Sequence, residues 1–149
     1  HDGKVVGHTA SNTAPRDNIF YCGNAGNSWM WVNYDLDYWS KGFNQPCQKG
    51  YRVPTIEQLK SIGNATNWDS GGGLFKVDVG NGFPPLILPA AGVRSSGEGY
   101  SSGLGTKGRY WSRSIPSGAG RAANVGFTSD KLYQYADGGA NGFSVRCVR

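Results

Sequence analysis

The sequence predicts a single α+β domain, residues 1–149, with one short helix ahead of many short strands and long loops. Three observations predict it. A chain of 149 residues is long enough for a real core but not for two. Its 24 Gly and 7 Pro against a hydrophobic fraction of 38% favour turns and loops over a helical bundle. Only one stretch combines helical periodicity with matching start and stop signals.

Residues 1–20 read as an extended N-terminal segment, with "KVVG" as a short strand. "NSWMWVNYDLDYW" (27–39) is rich in β-formers and predicts one or two strands. In "YRVPTIEQLKSIG" Pro54 ends the extended run, and Thr55 with Gln58 three residues on forms a capping box. Ile56, Leu59 and Ile62 then share one helical face, and Gly63 supplies the stop. "LFKVDV" and "LILPA" read as strands, the second buried and ended by Gly92. "SSGEGYSSGLGTKG" (95–108) has linker composition but lies between strand-like segments, so a long surface loop is expected. "RYWSRS", "ANVGFTS" and "FSVRCVR" read as the closing strands. In the last, Phe143, Val145 and Cys147 share a face, which predicts a central core strand.

Charge is unevenly placed. Residues 1–93 balance, so the net +5 lies in 94–149, where Arg94, Lys107, Arg109, Arg113, Arg121, Lys131, Arg146 and Arg149 face only Glu98, Asp130 and Asp137. A basic half could meet nucleic acid, acidic glycan or an acidic protein face, but no Lys/Arg run exceeds "KGR" and scattered surface charge is the simpler reading. Nucleic acid is not expected as a partner. No stretch has the apolar length of a membrane span, so membrane insertion by this domain is not expected. A chain opening on His1 without Met reads as processed or excised, so a missing signal peptide carries little weight.

Enzyme chemistry finds no anchor, and a non-enzyme is expected. A nucleophile–base arrangement needs a histidine beside the nucleophile, and His1 and His8, both in the N-terminal segment, are the only histidines. Asp35 and Asp37 could hold Ca²⁺ or act as paired carboxylates, though two acids on a solvent-facing strand side are commonplace. "GLGTKG" lacks the spacing of a phosphate loop. "NWD" (67–69) and "NQP" (44–46) resemble the calcium signatures of animal C-type lectins in the wrong order and spacing, and read as turns. Cys22, Cys47 and Cys147 make an odd count with no CxxC or Cys/His cluster, which argues against structural zinc. No cofactor is expected, with a structural Ca²⁺ left open.

Three phrases carry a family resemblance: "PCQKGYRVPT" (46–55), "LPAAGVR" (88–94) with "RYWSRS" (109–114), and "GFSVRCVR" (142–149). In this order they resemble the Fibrobacter succinogenes major paralogous domain, over roughly residues 45–149. The resemblance implies a C-type-lectin-like fold akin to that of the formylglycine-generating enzyme, on secreted or surface proteins of Bacteroidetes-type bacteria. It also implies a Cys47–Cys147 disulfide, suited to an oxidising environment, with Cys22 left over. The catalytic cysteine pair of the formylglycine-generating relatives is not matched, because Cys147 is the only cysteine in the corresponding part.

A narrower resemblance covers the C-terminal forty residues, or so. Tyr-Trp-Ser-x-Ser, an irregular run and Asn-Gly-Phe-Ser-Val-Arg-Cys-Val resemble the variable region of proteins mutagenised by diversity-generating retroelements. Random replacement of template adenines in AAC codons permits Asn, Asp, Ser, Gly, Thr, Ala, Tyr, Arg, Pro, Leu and Ile, and excludes Lys, Gln, Glu, Met and Trp. Within 109–141, Arg113, Pro116, Ala119, Arg121, Asn124, Gly126, Thr128, Asp130, Tyr133, Tyr135, Asp137 and Gly138 fall in the permitted set. Lys131 and Gln134 do not. Strand alternation points the same way: Val125 and Phe127 face inward, leaving Asn124, Gly126 and Thr128 outward and free to change.

The expected function is therefore a hypervariable, receptor-recognising domain on a surface adhesin, pilus tip or phage fibre, extracellular and part of a larger assembly. Tyr110, Tyr133 and Tyr135 would supply contact area. Arg113, Arg121, Asn124, Thr128, Asp130 and Asp137 would supply directional polar contacts to a protein or glycan. The alternatives are a fixed assembly subunit of a surface fibre and, behind it, an enzyme related to the formylglycine-generating enzymes.

Overall fold

The computed structural model of the chain describes residues 46–64, 66–78, 80–95, 100–116, 121–128, 131–139 and 141–149, with the backbone of 5–6 and 20–21. The strand expected in "KVVG" is β1 (Val5–Val6), paired in parallel with β2 (Phe20–Tyr21). The strands expected in 27–39, together with Asp35, Asp37, both histidines and Cys22, lie outside the described residues.

The helix α1 (Ile56–Ser61) forms where its local signals are. Thr55 Oγ1 accepts the Gln58 N–H at 3.2 Å, and Gln58 Oε1 accepts the Thr55 N–H at 3.0 Å. Two otherwise orphaned donors are thereby satisfied. Ile56 and Leu59 are buried and Ile62 half-buried. The stop differs from expectation. The chain tightens into a 3-10 turn, Ile62–Asn64, in which Gly63 packs near Leu132.

A three-stranded antiparallel meander follows, formed by β3 (Thr66–Asp69), β4 (Leu74–Val77) and β5 (Leu86–Pro89). "NWD", expected as a turn, is part of β3, because Trp68 pairs with Phe75 and its ring packs 5.9 Å from that of Phe127. The turn comes immediately after it. Asp69 Oδ1 accepts the Gly72 N–H at 3.0 Å, and its Oδ2 pairs with Lys76 at 2.8 Å. These contacts, the Lys76 hydrogen bond foremost, hold the Asp69 carboxyl below its usual range.

The second sheet has five strands in the order β10-β9-β8-β6-β7. They are β6 (Ala91–Arg94), β7 (Ser101–Leu104), β8 (Gly108–Trp111), β9 (Arg121–Phe127) and β10 (Leu132–Gly138). All neighbours are antiparallel except β6 and β8, which meet in parallel at Gly92 and Gly108. Part of the expected 95–108 loop is thus β7, a strand that buries almost nothing and so carries no apolar rhythm. β10 runs through the stretch whose letters show no pattern.

The core lies between this sheet, the meander and α1. Phe75, Val77, Leu88, Val125 and Phe127 are its least exposed large residues, with Ile56, Leu59, Ala90, Tyr110 and Ala123 around them. Phe127 stacks on Phe75 at 4.7 Å and rests on Gly108, where any Cβ would overlap its ring. Mostly β, with one short helix, the architecture agrees with a small α+β domain.

"FSVRCVR" is not the core strand its alternation predicts. The tail runs beside β8 and β6 but forms no continuous strand, making only isolated bridges: Gly142 with Arg94, Ser144 with Tyr110, and Val148 with Arg52. Phe143, Val145 and Cys147 are half-buried. Cys47 and Cys147 form a disulfide across 100 residues, with Cα atoms 5.8 Å apart. The bond is compatible with an extracellular location. Among the described residues, no helix is long and apolar enough to cross a membrane.

Closing so long a loop removes much of the unfolded chain's freedom, by about 2–5 kcal/mol. Cys47→Ala with Cys147→Ala should lower unfolding stability by that amount in urea denaturation, and a reducing agent should do the same to the native chain only.

Candidate functional site on the outer face of β8, β9 and β10

Register alone assembles the face turned away from the core. Across β8, β9 and β10, Tyr110, Val125 and Gln134 are aligned, as are Arg109, Gly126 and Tyr133 one step along. With Val125 and Tyr110 in the core, the opposite face receives Arg109 and Trp111 from β8, Asn124 and Gly126 from β9, and Tyr133, Tyr135 and Asp137 from β10.

These side chains form a connected layer. Arg109 Nη1 donates to Asn124 Oδ1 at 3.0 Å and to Asp137 Oδ2 at 2.9 Å. Asn124 Nδ2 donates to the same Asp137 oxygen at 3.0 Å. The Arg109 guanidinium lies 3.6 Å from the centre of the Tyr135 ring and 5.7 Å from that of Phe143. Phe143 in turn stacks on Trp111 at 4.3 Å. To reach β10 from β8, Arg109 must cross β9, and Gly126 makes the crossing possible. A Cβ there would stand 2.6 Å from Arg109 Cδ.

The candidate residues fall into distinct environments. Tyr133 and Tyr135 are exposed at 50% and 37%, their rings edge-on at 6.5 Å. Thr128 is exposed after β9, and Arg121 is exposed at its start, donating to the Ala136 carbonyl at 3.4 Å. Asp137 and Gly138 are half-buried at the end of β10. Arg113 and Pro116 are half-buried beyond β8, the Arg113 N–H donating to the Pro54 carbonyl at 2.9 Å. Ala119 and Asp130 lie outside the described residues.

Three positions differ from the sequence reading. Asn124 and Gly126 do point away from the core, but they are buried, Asn124 at 0%. The Arg109 side chain covers them, so they are not free to change. Tyr110 belongs to the core at 3% exposure, its hydroxyl donating to the Pro89 carbonyl at 2.9 Å. Arg109, Trp111 and Phe143 were missed as parts of this face. Their signal was the parity of "RYW", which puts Arg109 and Trp111 opposite Tyr110.

Chemically, the face offers two accessible phenol rings on a neutralised, hydrogen-bonded base. Among the described residues there is no group of three or more His, Cys, Asp or Glu able to hold a metal ion. Comparison with known protein families, curated proteins and solved structures finds no match to this chain.

Two substitutions test this geometry. Gly126→Ala should displace Arg109 and leave the buried Asn124 Oδ1 unpaired, a loss of about 1–3 kcal/mol in chemical denaturation. In an Arg109→Ala background the same change should cost far less, because the two effects are coupled. Burial pushes the Tyr110 hydroxyl from its ordinary 10.0 up to about 12, against the opposing charge of Arg146. The unfolded chain therefore releases this proton first, and stability should fall as pH rises from 10.0 through about 12. Tyr110→Phe should remove that part of the alkaline slope in thermal melts.

Proposed function

We propose that this chain is a non-catalytic ligand-binding module that recognises a protein or glycan through the outer face of β8–β10. In this reading it is a C-type-lectin-like member of the Fibrobacter succinogenes major paralogous domain family. Residues 109–141 are its retroelement-diversified region, displayed on a surface adhesin, pilus tip or phage fibre. The observation that carries the reading is the convergence of Tyr133, Tyr135 and Asp137 with Arg109 and Asn124 on one face, each alternating with an inward residue. Rigid aromatic rings beside fixed polar groups suit recognition at low entropic cost. Cys147 is bonded to Cys47 rather than held as a thiol, which supports a binding role over a cysteine-based reaction.

The burial of Asn124 and Gly126 favours a second reading at those two positions, a fixed face serving assembly of a surface fibre. Sequencing the locus across one clonal population separates the two. Substitutions within 109–141 confined to template adenines, frequent at 133 and 135 and rare at 124 and 126, are the expected result. An invariant stretch with no neighbouring reverse transcriptase overturns the diversified reading in favour of the fixed one.

A further inference from the structure

Among the described strands β10 lies at the edge of its sheet, and its sequence is complementary to itself. Among the described residues nothing pairs with its second edge. Tyr133, Gln134 and Tyr135 are exposed in succession, so both faces of the strand are accessible at its centre. Its seven residues pair with β9 without a bulge, and alternate backbone groups of such a strand point outward unpaired. Edge strands usually keep copies apart with charge. Here the charges have opposite sign and symmetrical places.

In "KLYQYAD" (131–137), Gln134 is the midpoint, with Tyr133 and Tyr135 on either side, then Leu132 and Ala136, then Lys131 and Asp137. Two antiparallel copies related by a two-fold axis through Gln134 would therefore oppose Tyr133 with Tyr135, Leu132 with Ala136, and Lys131 with Asp137, each pair twice. Moving the axis to Tyr133 or Tyr135 sets Lys131 against Tyr135 or Gly139 and loses both charge pairs. Lys131 is exposed. The Asp137 contacts to Arg109 and Asn124 both use Oδ2, and a third of that side chain, 34%, remains accessible. The geometry points to a second copy of this chain as the partner of β10, joined edge to edge through Gln134 into one continuous sheet. Cross-strand aromatic and opposite-charge pairs stabilise such a junction, and the symmetric operator closes it at a dimer. The four tyrosines then lie on one shared outer face. This inference concerns the strand edge and stands whether or not that face binds a ligand.

The contact is small, below about 1,000 Å², so the dimer is a weak one, forming at micromolar concentration or above. Sedimentation of the full chain over a concentration series should show reversible dimerisation. Lys131→Glu should weaken it about tenfold or more, because two attractive pairs become repulsive. In a Cys22→Ser background, Gln134→Cys should form an interchain disulfide under oxidised glutathione, since directly opposed residues lie about 4.5–5.5 Å apart. Thr128→Cys should not. A chain that stays monomeric at concentrations approaching about 1 mM overturns the inference. So does a dimer indifferent to Lys131→Glu, or one trapped through Thr128→Cys and not through Gln134→Cys.

Discussion

The seat of Phe127 on Gly108 holds the domain together. One ring joins four elements: it rests on the β8 backbone, stacks on Phe75 of the meander, and lies 5.9 Å from Trp68 and 6.2 Å from Tyr110. Truncating a fully buried Phe costs about 3–5 kcal/mol, a large share of what holds a small domain folded. The ring also fixes the register of β9. A shift by one residue would turn Phe127, Val125 and Ala123 outward together. Everything on the opposite face inherits its position from that constraint.

The outer layer is held differently. Its ion pair is partly solvated, with Arg109 and Asp137 side chains 24% and 34% exposed, so the attraction itself adds modestly to stability. What makes the layer specific is Asn124. A primary amide at 0% exposure is costly unless both its ends are satisfied, and Arg109 and Asp137 satisfy them. Arg109 is thereby held against Tyr135, 3.6 Å from its ring centre, where cation–π attraction orders the ring that the surface presents. Fixed charge below, accessible aromatic above: the order of that stack follows from a single glycine at 126.

How legible each part was depends on whether its cause is local. The helix could be read because Thr55, Gln58 and the Ile56/Leu59 spacing act within one turn. β8 and β9 could be read because each puts apolar residues such as Tyr110, Val125 and Phe127 on the core side at every second position. β7 and β10 could not, since a strand held by backbone pairing at a sheet edge leaves no apolar period. The tail misled for the converse reason. Phe143, Val145 and Cys147 alternate as a core strand does, yet the same alternation serves a half-buried strap tied by isolated backbone bridges, a disulfide and one aromatic stack. At the site, parity alone identified Asn124, Gly126 and Thr128 as outward. Burial of the first two was illegible, because it arises from an arginine on another strand crossing a glycine.

That distinction bears on what kind of variation the face could carry. Substitution costs least at the exposed Thr128 and Tyr133, more at Tyr135, whose ring rests on Arg109, and most at Asn124 and Gly126, where a neighbour leans on the site. Under the proposed reading, diversity would then concentrate on the edge strand rather than across the whole sheet. Edge pairing and diversity are compatible there, because the backbone ladder is the same whatever side chains stand at 133 and 135. Gln134 on the axis and Lys131 at the charged end are the two residues of the run that adenine mutagenesis excludes. A strand that kept those two, together with the Asp137 that stands opposite Lys131, while changing its tyrosines would hold its partner and still present a new surface.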